Sequence, residues 1–194
     1  MDLVTDDCCT VPRHIEQEMY KIEEGDDDVA LLVDILKEQV LPDLVQKLEA
    51  SESAVAPAVI IFVRGKGKRD LICDELRNNE IINLPFYEAM SSKARNLTLN
   101  LLTEGKLPVV VSDDLGSRGL DTNNVSCVIQ FDFARTPQDY LQRLGRTGRM
   151  GQPGKLINFI RDKDLELYKK IQKKVDQKLP LDSLFRTARR GIKP

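Results

Sequence analysis

The chain has 194 residues and a formal net charge of −2 at pH 7, length enough for one domain with a core of its own. Its hydrophobic share of 41% is that of an ordinary globular protein, and no apolar run approaches the roughly 20 residues that span a bilayer. Four cysteines without Cys-x-x-Cys spacing and one histidine, His14, argue against a zinc site and for a reducing compartment, with Cys73 and Cys127 as small buried hydrophobes.

The charge is unevenly placed. Residues 1–55 hold 4 of the 29 Lys/Arg but 15 of the 31 Asp/Glu, so the rest of the chain is basic, as suits contact with nucleic acid. The start, Met1 to Asp7, has neither a basic flank nor an apolar stretch, and no secretory signal is expected. The sequons at Asn96 and Asn124 are read as chance matches.

Residues 1–14 lack periodicity and read as a linker or tail. A strand is expected over 16–22, then an acidic turn at Gly25 to Asp28. Asp28 is predicted as the N-cap of a helix carrying Val29, Leu32, Val33, Leu36 and Val40 at helical spacing. Pro42 should end or kink it, with a second short helix at Leu44, Val45 and Leu48. From Ala58 to Val63 the chain is continuously apolar, as in a strand buried on both faces. Residues 109–111, 125–131 and 155–160 repeat that pattern, and helices are predicted over 67–78, 92–104, 137–144 and 162–177. Strands alternating with helices at this length predict an α/β fold with a mostly parallel sheet covered on both faces. Ligand sites in such sheets gather at the carboxyl ends of the strands. Residues 181–194 form a basic carboxyl-terminal extension.

Two segments carry the chemistry. Ser112 to Asp121 is an acidic loop relieved by Gly116 and Gly119. Gln142 to Arg149 sets Arg143, Arg146 and Arg149 three residues apart beside Gly145 and Gly148. Guanidinium is always charged and forks onto two phosphate oxygens at once. Any surviving turn of helix would project the three arginines from one side. A polyanion is the expected ligand.

These segments resemble motifs V and VI of superfamily-2 helicases, and Arg118-Gly119-Leu120-Asp121 is similar to the DEAD-box RNA helicases. Val59 to Val63 resembles motif IV, and Met90 to Arg95 the motif that follows it. The likeness covers roughly residues 15 to 175, and it implies a RecA-like three-layer fold over 15–180. It also implies Arg146 and Arg149 as catalytic fingers on the γ-phosphate of ATP, with Asp121 and Gly119 completing the ATP contacts. Gln142, Arg143, Arg118 and Asp114 would form an interdomain network, and Arg95, Gly116 and Lys66 would bind RNA along its sugar–phosphate backbone.

The chain departs from the family pattern at several positions. Gln142 stands where histidine is usual, Asp113 where threonine is, Glu88 where glycine is, Ser92 where glutamine is, and Gly65 where threonine is. Lys66, Lys68 and Arg69 either compensate electrostatically or are solvated helix residues. Neither a Gly-x-x-x-x-Gly-Lys-Ser/Thr loop nor an Asp-Glu-Ala-Asp sequence is present. The resemblance therefore implies the carboxyl-terminal one of two RecA-like domains, with residues 1–14 from the linker between them. Its partners would be RNA and its own amino-terminal domain, which would hold Mg2+. The expected protein is an intracellular (cytoplasmic or nuclear) monomer without membrane contact, and this piece alone should be inactive. A DNA helicase or translocase domain, or a catalytically silent RNA-binding module, remain the alternatives.

Overall fold

The computed structural model describes residues 9–50, 55–117 and 123–185. Six strands form one parallel sheet: β1 (Ile15–Lys21), β2 (Ala58–Phe62), β3 (Asn83–Phe86), β4 (Val109–Ser112), β5 (Val125–Gln130) and β6 (Gly154–Ile160). Their spatial order is β1-β6-β5-β2-β4-β3. The connections are the helices α1 (Asp28–Ile35), α2 (Leu41–Ala50), α3 (Lys66–Asn78), α4 (Ser92–Thr103), α5 (Pro137–Leu144) and α6 (Leu165–Asp176), followed by the short α7 (Asp182–Phe185).

Alternation along the central strand divides the core in two. Val59 and Ile61 of β2 face Leu32, Leu36, Ile72 and Leu76 from α1, α3 and the turn between α1 and α2. Ala58, Ile60 and Phe62 face Leu102, Tyr140, Leu144 and Ile171 from α4, α5 and α6. All five residues of β2 are buried. The three-layer arrangement expected from the alternating pattern is the one found.

Local details sharpen the expectations. Asp27, not Asp28, caps α1, its carboxylate accepting the Ala30 N–H at 2.9 Å. Pro42 interrupts the helix without ending it: a wider π turn over Leu36–Val40 lets Leu41 N–H reach the Leu36 carbonyl, and the second helix expected at Leu44, Val45 and Leu48 follows as α2. Such a turn accommodates a residue that cannot donate in the ordinary ladder. The strand β3 was not expected, because Asn83-Leu84-Pro85-Phe86 is short and contains proline. It lies at the edge of the sheet, where a missing donor is tolerated.

The packed body also reaches into both flanks. Leu181 is fully buried, and its N–H donates to the Cys9 carbonyl at 2.8 Å. Val11, Leu184 and Phe185 pack against the same core. No helix among the described residues is long and apolar enough to cross a membrane.

Candidate functional site

With every strand parallel, the loops that follow β2, β3, β4, β5 and β6 share one edge of the sheet. Arg143 organises that edge from beneath. Thr136 caps α5 by accepting the Asp139 N–H at 3.1 Å, and Pro137 takes the first turn. Helical spacing then turns Tyr140, Arg143 and Leu144 inward. The Arg143 side chain is 2% exposed, and its guanidinium has a partner on every side. Nε and Nη2 donate to the two carboxylate oxygens of Asp114 at 2.6 and 2.9 Å. Nη1 donates to Gln130 Oε1 at 3.0 Å and to the Asp132 carbonyl at 2.6 Å. The Phe62 ring lies 4.9 Å away. A buried cation is tolerable when it is paired and hydrogen-bonded in this way.

The loop after β4 is tight. Asp113 turns back and accepts the Gly116 N–H at 2.5 Å, and the Gly116 carbonyl accepts from Arg95 Nη2 at 3.2 Å. A Cβ on Gly116 would lie 2.5 Å from Tyr87 Cα and 2.6 Å from the Phe86 carbonyl. Glycine is required here for backbone packing. The Gly116 N–H is taken by Asp113 and so is not open to a phosphate. Arg95 lies over the Phe86 ring at 4.4 Å.

Lys66 is exposed at the first position of α3. Its neighbours are not simply solvated. Lys68 donates to Asp132 at 3.1 Å, and Arg69 is buried, stacked 3.8 Å from Tyr87 and 4.0 Å from Asp113.

The three arginines do not project from one side. Helix α5 stops at Leu144, with Gly145 as its C-cap. Gly148 then takes the left-handed conformation at φ +65°, pressed against Ile15 and His14. This break leaves Arg143 pointing into the fold, while Arg146 and Arg149 emerge from the turn beyond. Their Nε atoms donate to the Gln142 and Gly145 carbonyls at 3.3 and 3.0 Å. Among the described residues no carboxylate pairs with either. Partial burial, and then the charge of Arg149, hold the Arg146 guanidinium below its usual pKa. Two near, unneutralised cations form a ready anion site.

That turn lies at the opposite, amino-terminal edge of the sheet, against expectation. Thr147 donates to the carbonyl of Val125, the first residue of β5, at 2.9 Å. Arg149 borders a cleft with Asn123, Asn124 and Pro153. The chain that leaves the carboxyl edge at Gly116 therefore reaches the amino edge at Asn123. Arg118, Gly119 and Asp121 fall outside the described residues. The Gln142 residue is exposed.

Asp132 is a residue that sequence reasoning missed. It is 4% exposed and accepts the Arg64 N–H at 2.8 Å and the Lys68 ammonium, with Arg161 at 3.6 Å. Burial disfavours its charge, but the Arg64 N–H and the Lys68 and Arg64 charges outweigh it, and its pKa lies below the usual carboxylate value. The one available signal was an acid placed between Phe131 and Phe133 at the end of an apolar strand.

Residues 36–151 match the family model of the helicase conserved C-terminal domain. The chain belongs to that family. Its relatives are DEAD-box proteins. It is 34% identical over 139 residues to DEAD-box ATP-dependent RNA helicase 36 of Arabidopsis thaliana, covering 70% of this chain and 28% of the relative. It is 32% identical over 137 residues to eukaryotic initiation factor 4A-3 of the same plant, covering 71% and 32%. A similar fold is also known among solved structures. The E. coli DEAD-box protein SrmB, solved bound to regulator of ribonuclease activity A, superposes with a TM-score of 0.66 at 32% identity, covering 81% of this chain and 84% of that one. The chain spans about a third or less of the length of the two curated relatives.

Proposed function

We propose that this chain is the second RecA-like domain of an ATP-dependent DEAD-box RNA helicase, and that Arg146 and Arg149 are its fingers on the γ-phosphate of ATP. The observation that carries the reading is the pair of emergent guanidiniums, neither neutralised by a carboxylate among the described residues. A transferring phosphoryl group spreads charge over its equatorial oxygens, and such fingers are worth about 10³–10⁵ in rate. Arg143 is the positioning residue. Its grip on Asp114 and Gln130 holds the end of α5 from which the fingers leave.

Asp121 and Gly119 join the nucleotide contacts, and Arg118 and Gln142 face the other domain; Arg143, expected in that interdomain network, is instead held within this domain by Asp114, Gln130 and Asp132. Arg95 and Lys66 hold the sugar–phosphate backbone of single-stranded RNA, and Gly116 orients Arg95 through its carbonyl. Binding of this kind is salt-sensitive and tolerant of sequence. ATP supplies a phosphoanhydride whose hydrolysis ends one closed state of the two domains. Mg2+ comes with the other domain; among the described residues no cluster of three or more His, Cys, Asp or Glu side chains is placed to hold a metal. The helicase domain spans about 15–180, and the protein is an intracellular monomer.

The test is the ATPase rate of the two-domain protein without nucleic acid, with single-stranded RNA and with single-stranded DNA. The Arg146→Ala/Arg149→Ala variant is run beside it. Stimulation selective for RNA, with a loss of about 10³-fold or more in the variant, is the expected result. Stimulation by DNA instead moves the chain among DNA translocases. A silent protein under all conditions removes the enzyme reading.

A further inference from the structure

We propose that the hollow at the carboxyl ends of β2, β5 and β6 is a second phosphate site, which takes single-stranded RNA beyond the stretch held at Arg95. The inference rests on the RNA-binding reading above.

The hollow measures about 550 Å³ and is lined by Arg64, Lys68, Asp132, Arg135, Lys163 and Asp164, with only Ala134 and Leu167 as apolar wall. Four cations face two carboxylates, and both carboxylates are already engaged. Asp132 accepts from Arg64 N–H and Lys68, while Asp164 accepts the Arg161 N–H at 3.3 Å. Arg135 and Lys163 are exposed and have no hydrogen bond, ion pair or ring contact among the described residues. Unneutralised positive charge at the mouth of a polar hollow selects an anion, and arginine beside lysine suits phosphate oxygens.

The topology says which anion. Sheet order sets the carboxyl ends in the row β3, β4, β2, β5, β6. Along it lie Arg95 with Gly116, then Lys66, then the hollow. The row is stopped at β1 by Glu23, Glu24, Asp26 and Asp27, which follow that strand and which no polyanion would cross. A linear polyphosphate lying on the row meets Arg95, Lys66 and the hollow in turn, and Asp113 and Asp114 between them are engaged by the Gly116 N–H and Arg143. An acidic peptide would also need apolar pockets for its other side chains, and the wall offers almost none.

The experiment measures the affinity of the 194-residue chain for oligouridylates of increasing length, each across a salt series. Arg135→Ala/Lys163→Ala and Arg95→Ala variants are compared with the parent. Among the described residues Arg135 and Lys163 hold nothing, so their removal should leave the fold intact, and circular dichroism checks this. The expected result is that the Arg135/Lys163 variant matches the parent on short oligomers and lacks its gain in affinity on longer ones. Its salt slope on the long oligomers should fall by about 1.4, the value for two single-strand phosphates. Arg95→Ala should weaken binding at every length.

If the Arg135/Lys163 variant equals the parent at all lengths while Arg95→Ala is weakened, the second site is overturned and the RNA reading stands. If only the Arg135/Lys163 variant is weakened, the second site stands and the Arg95 assignment fails. Parent chain that binds no oligomer overturns both. A length-independent RNA affinity, with a phosphoserine peptide bound through Arg135 and Lys163, gives the hollow to a protein partner and overturns the proposal.

Discussion

Arg143 and Asp114 are joined by two parallel hydrogen bonds, Nε to Oδ1 and Nη2 to Oδ2, although 29 residues separate them in sequence. The pair ties the loop at the carboxyl edge of the sheet to the end of α5, beyond which Arg146 and Arg149 emerge at the other edge.

Asp114→Asn should therefore destabilise the fold. It keeps the shape but strips the counter-charge from a guanidinium 2% exposed. Breaking a fully buried pair costs about 3–5 kcal/mol. The Asp114 side chain is 31% exposed, so solvent screening reduces the expected loss to about 2 kcal/mol. Urea unfolding measures it, and a loss within about 0.5 kcal/mol, the range of ordinary surface changes, would show that the pair is not structural.

Gly116→Ala tests the turn that orients Arg95. The added methyl meets backbone atoms of Tyr87 and Phe86, which cannot swing away as side chains do. A loss of about 1–3 kcal/mol is expected, together with weaker RNA binding. Parent-like thermal stability and RNA affinity would show that the loop relaxes freely.

Asp132 should shape the acid limb of stability. Its pKa is depressed on folding, so its contribution is complete above the usual carboxylate value and is lost as pH falls through it toward the folded value. The parent's urea midpoint should drop between neutral pH and about pH 3 by more than that of Asp132→Asn. The variant starts less stable at neutral pH and converges with the parent in acid. Parallel curves would contradict this.

Thiol labelling should follow burial. Cys73 and Cys127 are buried, and desolvation pushes their pKa values to about 11 and about 12. An alkylating reagent needs thiolate, so both should label only through unfolding, while the partly exposed Cys9 labels in the native state. Mass spectrometry of the modified peptides decides it. Labelling of Cys127 at the rate of Cys9 would place it nearer solvent than the fold allows.

The layers were legible because their cause is local. Runs such as Ala58 to Val63 and Val109 to Val111 are short, consecutively apolar and rich in branched residues, as a strand covered on both faces requires. β3 was illegible because its identity comes from pairing with β4 and not from its own residues. The glycines around the arginines were visible, but their effect was not. Only the end of α5 at Gly145 and the left-handed turn at Gly148 beyond it show that Arg143 stays on the buried face of the helix while Arg146 and Arg149 leave it. Asp132 was hidden for a related reason, since its partners come from β2, α3 and the end of β6.

The two outermost strands have a consequence for how copies of the chain behave toward each other. An open parallel sheet exposes an unpaired row of donors and acceptors on each flank, to which a foreign strand can add. On one flank β3 is four residues long and interrupted by Pro85, so the row is short and lacks a donor. On the other, β1 carries Glu16, Glu18 and Lys21 among its seven residues, and an incoming copy would set like charges side by side. Both flanks resist strand addition, one by brevity and one by charge, which favours molecules that stay apart when crowded.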